Sequence, residues 1–362
     1  MKHLYTSAPL PPDSPAHVAR TPGARDVVRL FPEPRAAEHG SLGVEGGITL
    51  VAGPGMGRTT VLGQVQAALE RERRIPSARV ELPVQASDAG FYSFVGALAS
   101  GARDALARSR CLAEPEHAPL RAALAQPLPF DVTSDPAALS VRGLQSWITE
   151  LGRAAAQGRG CCLLFDGLDA VAQRDWASAL VAGLRFTFQA AGGVTPIFAL
   201  WDLYFEESLP GSNYFRNVTR PIFISPLSAA PAGTSERDQL IDVSLAGLGA
   251  PARAAAGAIA GGHPGLLQAT LAALAERVDA AALPGLDAAT VRALLAPARP
   301  ELRDRAAALL ARVPQLQSAL RRLAEESVAH AALPRALLTA GLVDLAADGR
   351  ATLPECVRDA LD

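Results

Sequence analysis

Between an apolar run, Ile48-Thr-Leu-Val-Ala52, and a helical pattern through Val61, Leu62, Val65 and Leu69 lies Gly53-Pro-Gly-Met-Gly-Arg-Thr-Thr60. No other stretch restricts the fold as tightly. A short apolar run bounded by glycine reads as a buried strand, and the spacing after it reads as a helix. A glycine loop joining the two can curl its backbone N–H groups around an anion, with the positive end of the helix dipole behind them. Aligned on the phosphate-loop pattern GxxxxGK[ST], Ala52 replaces the first glycine, Gly57 is the last, Arg58 stands at the lysine and Thr59 at the hydroxyl. Gly53 and Gly55 keep the loop pliable despite Ala52. Arg58 is the larger departure, because a guanidinium is planar and longer than a lysine ammonium; binding survives that exchange more readily than hydrolysis. Gly53, Gly55, Met56, Gly57, Arg58, Thr59 and Thr60 are the expected phosphate-binding residues, with Arg58 also a catalytic candidate.

A second motif supports the first. Cys161-Cys-Leu-Leu-Phe165 leads into Asp166-Gly-Leu-Asp169, an apolar strand ending in an acid. An acid there suits a magnesium ion shared with a phosphate-loop hydroxyl, so Thr59 and Asp166 are the expected metal pair. Asp169, three residues on, is expected either to orient an attacking water or to cap the following helix. Further strand-like runs at 78–84, 196–201 and 221–225 alternate with helical stretches at 91–108, 140–157 and 175–190. Alternation of this kind predicts an α/β fold, a parallel sheet with helices on both faces.

Composition narrows the class. With 362 residues the chain needs two or three domains. Apolar residues at 49% and charged residues at 19% allow a buried core and exclude wholesale disorder. A net charge of -2 excludes a global cationic field of the kind that drives non-specific nucleic-acid or membrane binding. Lys2 is the one lysine, so the arginines of the surface reflect composition before chemistry. Cys111, Cys161, Cys162 and Cys356 form no metal-ligand spacing, and adjacent Cys161 and Cys162 on a strand point to opposite faces. Unpaired cysteines, no apolar run of about 18 residues and no secretory leader predict a cytoplasmic protein with no membrane partner.

Proline density over residues 1–40 predicts an extended arm. Residues 111–136, also proline-rich, predict a surface excursion. After residue 225 strand signals stop, and helical patterns run from 236 to 326, broken at Gly261-Gly-His-Pro-Gly265 and near Pro284, Pro297 and Pro314. Asp348-Gly349 between two short alternating runs signals a hairpin, and helices followed by a hairpin suggest a winged helix. The expected domains are the arm at 1–40, a nucleotide-binding domain at 41–228, a helical lid at 229–296 and a winged-helix-like domain at 297–362.

From about residue 45 onward, the order of the glycine loop, Leu163-Leu-Phe-Asp-Gly-Leu-Asp169, Ile222-Phe-Ile-Ser-Pro-Leu-Ser228 and Gly261-Gly-His-Pro-Gly-Leu-Leu-Gln268 resembles the STAND class of P-loop ATPases, near its NACHT and archaeal-ATPase branches. The resemblance implies a P-loop NTPase sheet, then a helical lid and a winged helix, with ATP or ADP and Mg2+ as cofactors. It also implies that His263 and Pro264 sit near the nucleotide base. Members of the class act as switches that oligomerise or engage a protein partner when nucleotide changes their conformation. Two departures imply weak hydrolysis: Arg58 stands at the loop lysine, and Ala170 stands where the NACHT-like pattern has glutamate; Phe198-Ala-Leu-Trp-Asp202 also lacks the arginine or polar sensor often found there. Arg216 and Arg220 are the nearest candidates to reach a γ-phosphate.

Two other readings stand beside the nucleotide switch. A DNA-associated AAA+-like regulator would use the arginines at 303, 305, 312, 321 and 322, although Glu301, Asp304, Glu325 and Glu326 are interleaved with them. A ligand-free pseudo-ATPase would serve as an interaction module, anchored by the arm and by Tyr204, Phe205, Tyr214 and Phe215.

Overall fold

The computed structural model describes residues 21–31, 47–82, 90–128, 141–205, 213–227, 235–325, 328–329, 332–346 and 350–362. The chain divides into two compact units, whose described residues lie within 21–51 and 61–223 in one and within 52–60 and 224–362 in the other.

The first unit is built on five strands, β1 (Ile48–Val51), β2 (Ser77–Glu81), β3 (Cys161–Asp166), β4 (Val194–Leu200) and β5 (Arg220–Phe223). They align in the order β2-β3-β4-β1-β5, and every pair is parallel. β1 and β4 are buried along their whole length and β3 along all but its last residue, the pattern of strands covered on both faces. The helices are α1 (Thr21–Val28), α2 (Arg58–Ala68), α3 (Phe91–Ala107), α4 (Ala118–Ala125), α5 (Val141–Ala155), α6 (Ala177–Ala190), α7 (Asp202–Phe205) and α8 (Asn213–Asn217). The step from β1 to β2 crosses the sheet in the opposite sense to the steps from β2 to β3 and β3 to β4. Right-handed crossovers therefore place α2 on one face and α3 to α6 on the other. On β3 and β4, Phe165 stacks on Phe198 at 5.3 Å between ring centroids, and Phe188 and Phe215 meet Phe198 edge-on at 5.8 and 5.2 Å.

Three expectations about this unit need correction. Residues 21–28 are helical where proline density predicted an extended arm. Pro22 falls in the first turn, where a missing N–H costs no helical bond, and Ala24, Val27, Val28 and Phe31 are buried. The described part of the 111–136 excursion is packed: Cys111, Leu112, His117, Leu120 and Leu124 are buried, and Pro115 and Pro119 open short helical turns. In the 204–220 segment, Phe215 is fully buried and Tyr204 nearly so, which makes them core residues; the Tyr214 side chain lies outside the described residues.

The second unit holds α9 (Glu236–Ser244), α10 (Ala250–Ala260), α11 (Pro264–Ala275), α12 (Ala288–Leu295), α13 (Arg299–Leu310) and α14 (Gln317–Glu325). Then follow β6 (Val328–Ala329), α15 (Arg335–Ala340), β7 (Asp344–Leu345), β8 (Arg350–Thr352) and α16 (Glu355–Leu361). The breaks fall where glycine and proline predicted them, with Pro284, Pro297 and Pro314 all in 3-10 turns. β7 and β8 pair antiparallel, Asp344 opposite Thr352, as expected of a hairpin; residues 347–349, with Asp348-Gly349, lie outside the described residues. α16 packs against α10 and α13. Arg292 bonds Glu355 at 2.9 Å, and Arg299 grips Asp359 through two bonds of 2.6 and 2.8 Å. Arg237, only 8% exposed, bonds Asp344 and the Leu227 carbonyl, and so ties α9 to β7. Among the described residues, no helix is long and apolar enough to cross a membrane.

Candidate functional site

The chain leaves β1 and turns at once. Met56 N–H donates to Gly53 O at 3.2 Å, closing a four-residue turn across Pro54 and Gly55. Gly55 has φ +74°, a value that favours glycine. Gly57 has φ +84°, and a Cβ added there would meet nothing within 4 Å. Arg58, Thr59 and Thr60 follow as the half-buried first turn of α2. A tight turn, an open glycine and a helix N-terminus in succession are what an anion cradle needs.

The turn is held from two directions. Gly53 N–H donates to the Thr339 carbonyl at the end of α15, at 2.7 Å. Met56 is fully buried, and a Cβ at Gly341 would come within 2.3 Å of its sulfur. From α11, Gly265 N–H donates to Gly55 O at 3.1 Å. His263, 2% exposed, caps that helix: its Nδ1 accepts the Leu266 N–H at 3.1 Å. An imidazole accepting at Nδ1 carries its proton on Nε2, so Nε2–H donates to Pro54 O, 3.0 Å away.

These bonds redistribute the roles expected of the residues. Gly53 and Met56, expected to bind phosphate, spend their amides on the fold of the turn. Of the expected set, Gly55, Gly57, Arg58, Thr59 and Thr60 remain candidates. His263 and Pro264, expected beside a nucleotide base, form the buried start of α11, with His263 bonded to the loop backbone. Nothing in the sequence marked Thr339, Gly341 or Gly265 as partners of the loop, beyond the general preference for glycine after a helix end.

In the first unit, Asp166 ends β3, its carbonyl accepting Leu82 N–H at 3.3 Å. Asp169, expected to orient an attacking water or cap the next helix, is otherwise engaged. Its two carboxylate oxygens accept Trp201 N–H at 2.9 and 3.0 Å, and one also accepts Leu203 N–H at 3.2 Å. It caps α7, not the turn that follows it, and fastens the β3 loop to the end of β4. Ala170 is exposed. Arg216 Nε donates to the Tyr204 carbonyl at 2.7 Å, with its guanidinium 5.7 Å from the Tyr204 ring centre.

The remaining reactive groups are quiet. Burial pushes the Cys111 thiol up to about 11 and those of Cys161 and Cys356 up to about 12, and raises Cys162 well above the usual range; none is a thiolate at neutral pH. Glu114, Glu116 and His117 bring ligand atoms within 4.8 Å of one another. Glu114 is already paired with Arg74 at 2.8 Å and Glu116 with Arg159 at 2.7 Å, so the cluster is an ion-pair network. On α13, two of the five arginines expected to face DNA are paired, Arg303 with Asp304 and Arg305 with Glu301, and Arg299 pairs with Asp359.

Among solved structures, a Walker-type ATPase of Pyrococcus abyssi is similar over 99% of this chain and 99% of its own, with a TM-score of 0.53 at 13% identity. The ORC1 protein of Aeropyrum pernix, solved in complex with DNA, is similar over 94% of this chain and 91% of its own at 13% identity, with a TM-score of 0.42, too low to argue from. No protein-family model and no curated protein matches the chain. The parallel sheet, its strand order and the first neighbour together give the chain the P-loop NTPase fold.

Proposed function

We propose that this chain is a nucleotide-binding switch or scaffold that takes ATP or ADP with Mg2+ at residues 55 and 57–60 and hydrolyses it slowly or not at all. The observation that carries the reading is the open space at Gly57, set between a pinned turn and the N-terminus of α2. A phosphate chain suits that space, because backbone N–H donors and a helix dipole favour negative charge. Magnesium is a hard cation that takes hydroxyl and carboxylate ligands, and Thr59 and Asp166 each carry one such group. The chemistry such an ion would supply is neutralisation of phosphate charge. Arg58 adds a fixed positive charge in the first turn of α2. Slow turnover follows from three features: arginine in place of the loop lysine, alanine at position 170, and an Asp169 carboxylate bound to the Trp201 and Leu203 amides. A switch also needs different nucleotide affinities in two conformations, and oligomerisation or a protein partner is the readout we assign to it.

Thermal shift and phosphate release test this. ATP–Mg2+ at 100 times its dissociation constant adds about 2.7 kcal/mol to the stability of the protein. Phosphate release stays below about 1 s⁻¹, the low end of ordinary turnover. Faster release, abolished by Asp166→Asn, overturns the slow-switch reading; no shift with any adenine or guanine nucleotide overturns binding and leaves an interaction module.

A further inference from the structure

The contacts of His263 join three segments far apart in sequence. Its Nε2–H reaches the Pro54 carbonyl inside the glycine turn, and its Nδ1 caps α11 through Leu266 N–H. Its ring also fills the space beside two glycines: a Cβ at Gly55 would lie 2.7 Å from His263 Cε1, and one at Gly341 would lie 2.8 Å from His263 Cδ2. Gly341 follows α15 with φ +71°, and the Thr339 carbonyl two residues earlier accepts Gly53 N–H. One neutral imidazole thus touches the phosphate loop, the start of α11 and the end of α15, and uses both nitrogens in doing so.

We infer that His263 is the positioning residue of the glycine loop: it fixes the Gly53–Met56 turn through Pro54 and makes the shape of that turn depend on where α11 and α15 sit. It acts through the loop backbone, with no contact to a ligand required. The inference rests on the nucleotide reading only for its effect on affinity, and its effect on the loop stands apart from any ligand. A side chain with one acceptor near the backbone and one donor farther out is what the geometry demands. Ordinary substitutions separate the two roles, because the Asn amide matches the reach of Nδ1 and the Gln amide matches the reach of Nε2.

The test uses the full chain with His263→Asn and His263→Gln, read by amide hydrogen exchange without ligand and by calorimetric titration with ADP. Asn remains a good helix cap but cannot reach Pro54. Exchange over residues 53–57 rises on the order of tenfold in His263→Asn, while the first turn of α11 keeps its protection. In His263→Gln the pattern reverses: α11 frays at its start and the loop recovers most of its protection. ADP affinity follows the loop, falling on the order of tenfold in His263→Asn and recovering in His263→Gln. Unchanged loop exchange in His263→Asn overturns the inference, as does an equal rise in both segments in both variants, which is the signature of a merely structural residue. Absence of ADP binding by the wild-type chain overturns the nucleotide reading instead, and the exchange pattern still decides for or against His263.

Discussion

Replacing Asp169 by alanine separates fastening from catalysis. In the structure its carboxylate accepts two backbone amides, Trp201 N–H at 2.9 and 3.0 Å and Leu203 N–H at 3.2 Å. A hydrogen bond to a charged acceptor contributes roughly 1.5–3 kcal/mol net, and an amide left bare costs about the same. The residue is half-buried, so water takes over part of the role, and the low end applies to each amide. Asp169→Ala therefore destabilises the sheet unit by about 3 kcal/mol, and Asp169→Asn, which keeps one acceptor, by about half of that. For a unit of this size about 3 kcal/mol lowers the melting temperature by roughly 6–12 °C. Scanning calorimetry of wild type, Ala and Asn variants measures this directly. If the Ala variant melts within about 2 °C of wild type, the bonds to Trp201 and Leu203 do not fasten β3 to β4, and the water-orienting role returns.

The buried pair of Arg237 and Asp344 gives a second expectation: Arg237→Leu leaves a carboxylate without its partner and costs about 3 kcal/mol in denaturant unfolding, and adding Asp344→Leu restores much of it. An Arg237→Leu protein as stable as wild type contradicts that account. Burial, only partly offset by Glu116, holds the His117 imidazole below its usual range. The unfolded chain therefore binds the extra proton first; this contribution to stability is complete above about pH 6.5 and is lost as pH falls below it. The acid limb of a stability–pH curve flattens in His117→Gln, and an identical limb contradicts the assignment.

Apolar runs at β1, β3 and β4 made the sheet readable, because strands buried on both faces leave continuous hydrophobic text. The glycine loop was readable for the same kind of reason: glycine at positive φ and an open helix start need particular residues. α1 was not, because Pro22 in a first turn is harmless while a count of prolines treats every one as a breaker. The partners of Asp169 could not be read, because they are main-chain amides of Trp201 and Leu203 and a backbone donor leaves no trace in the residue types that carry it. His263 was marked for a ligand, yet it bonds a carbonyl 209 positions away in sequence, a pairing that only the fold creates.

The claim on which the account depends is that Gly57 and the first turn of α2 hold a phosphate chain. Isothermal titration of the wild-type chain with ADP and magnesium, beside Gly57→Ala, measures it. A Cβ at Gly57 enters the open space from a backbone that disfavours it, so the account predicts a binding isotherm for wild type and a loss of affinity on the order of tenfold or more in the variant. No heat from wild type at millimolar nucleotide, or equal affinity in both proteins, would contradict it.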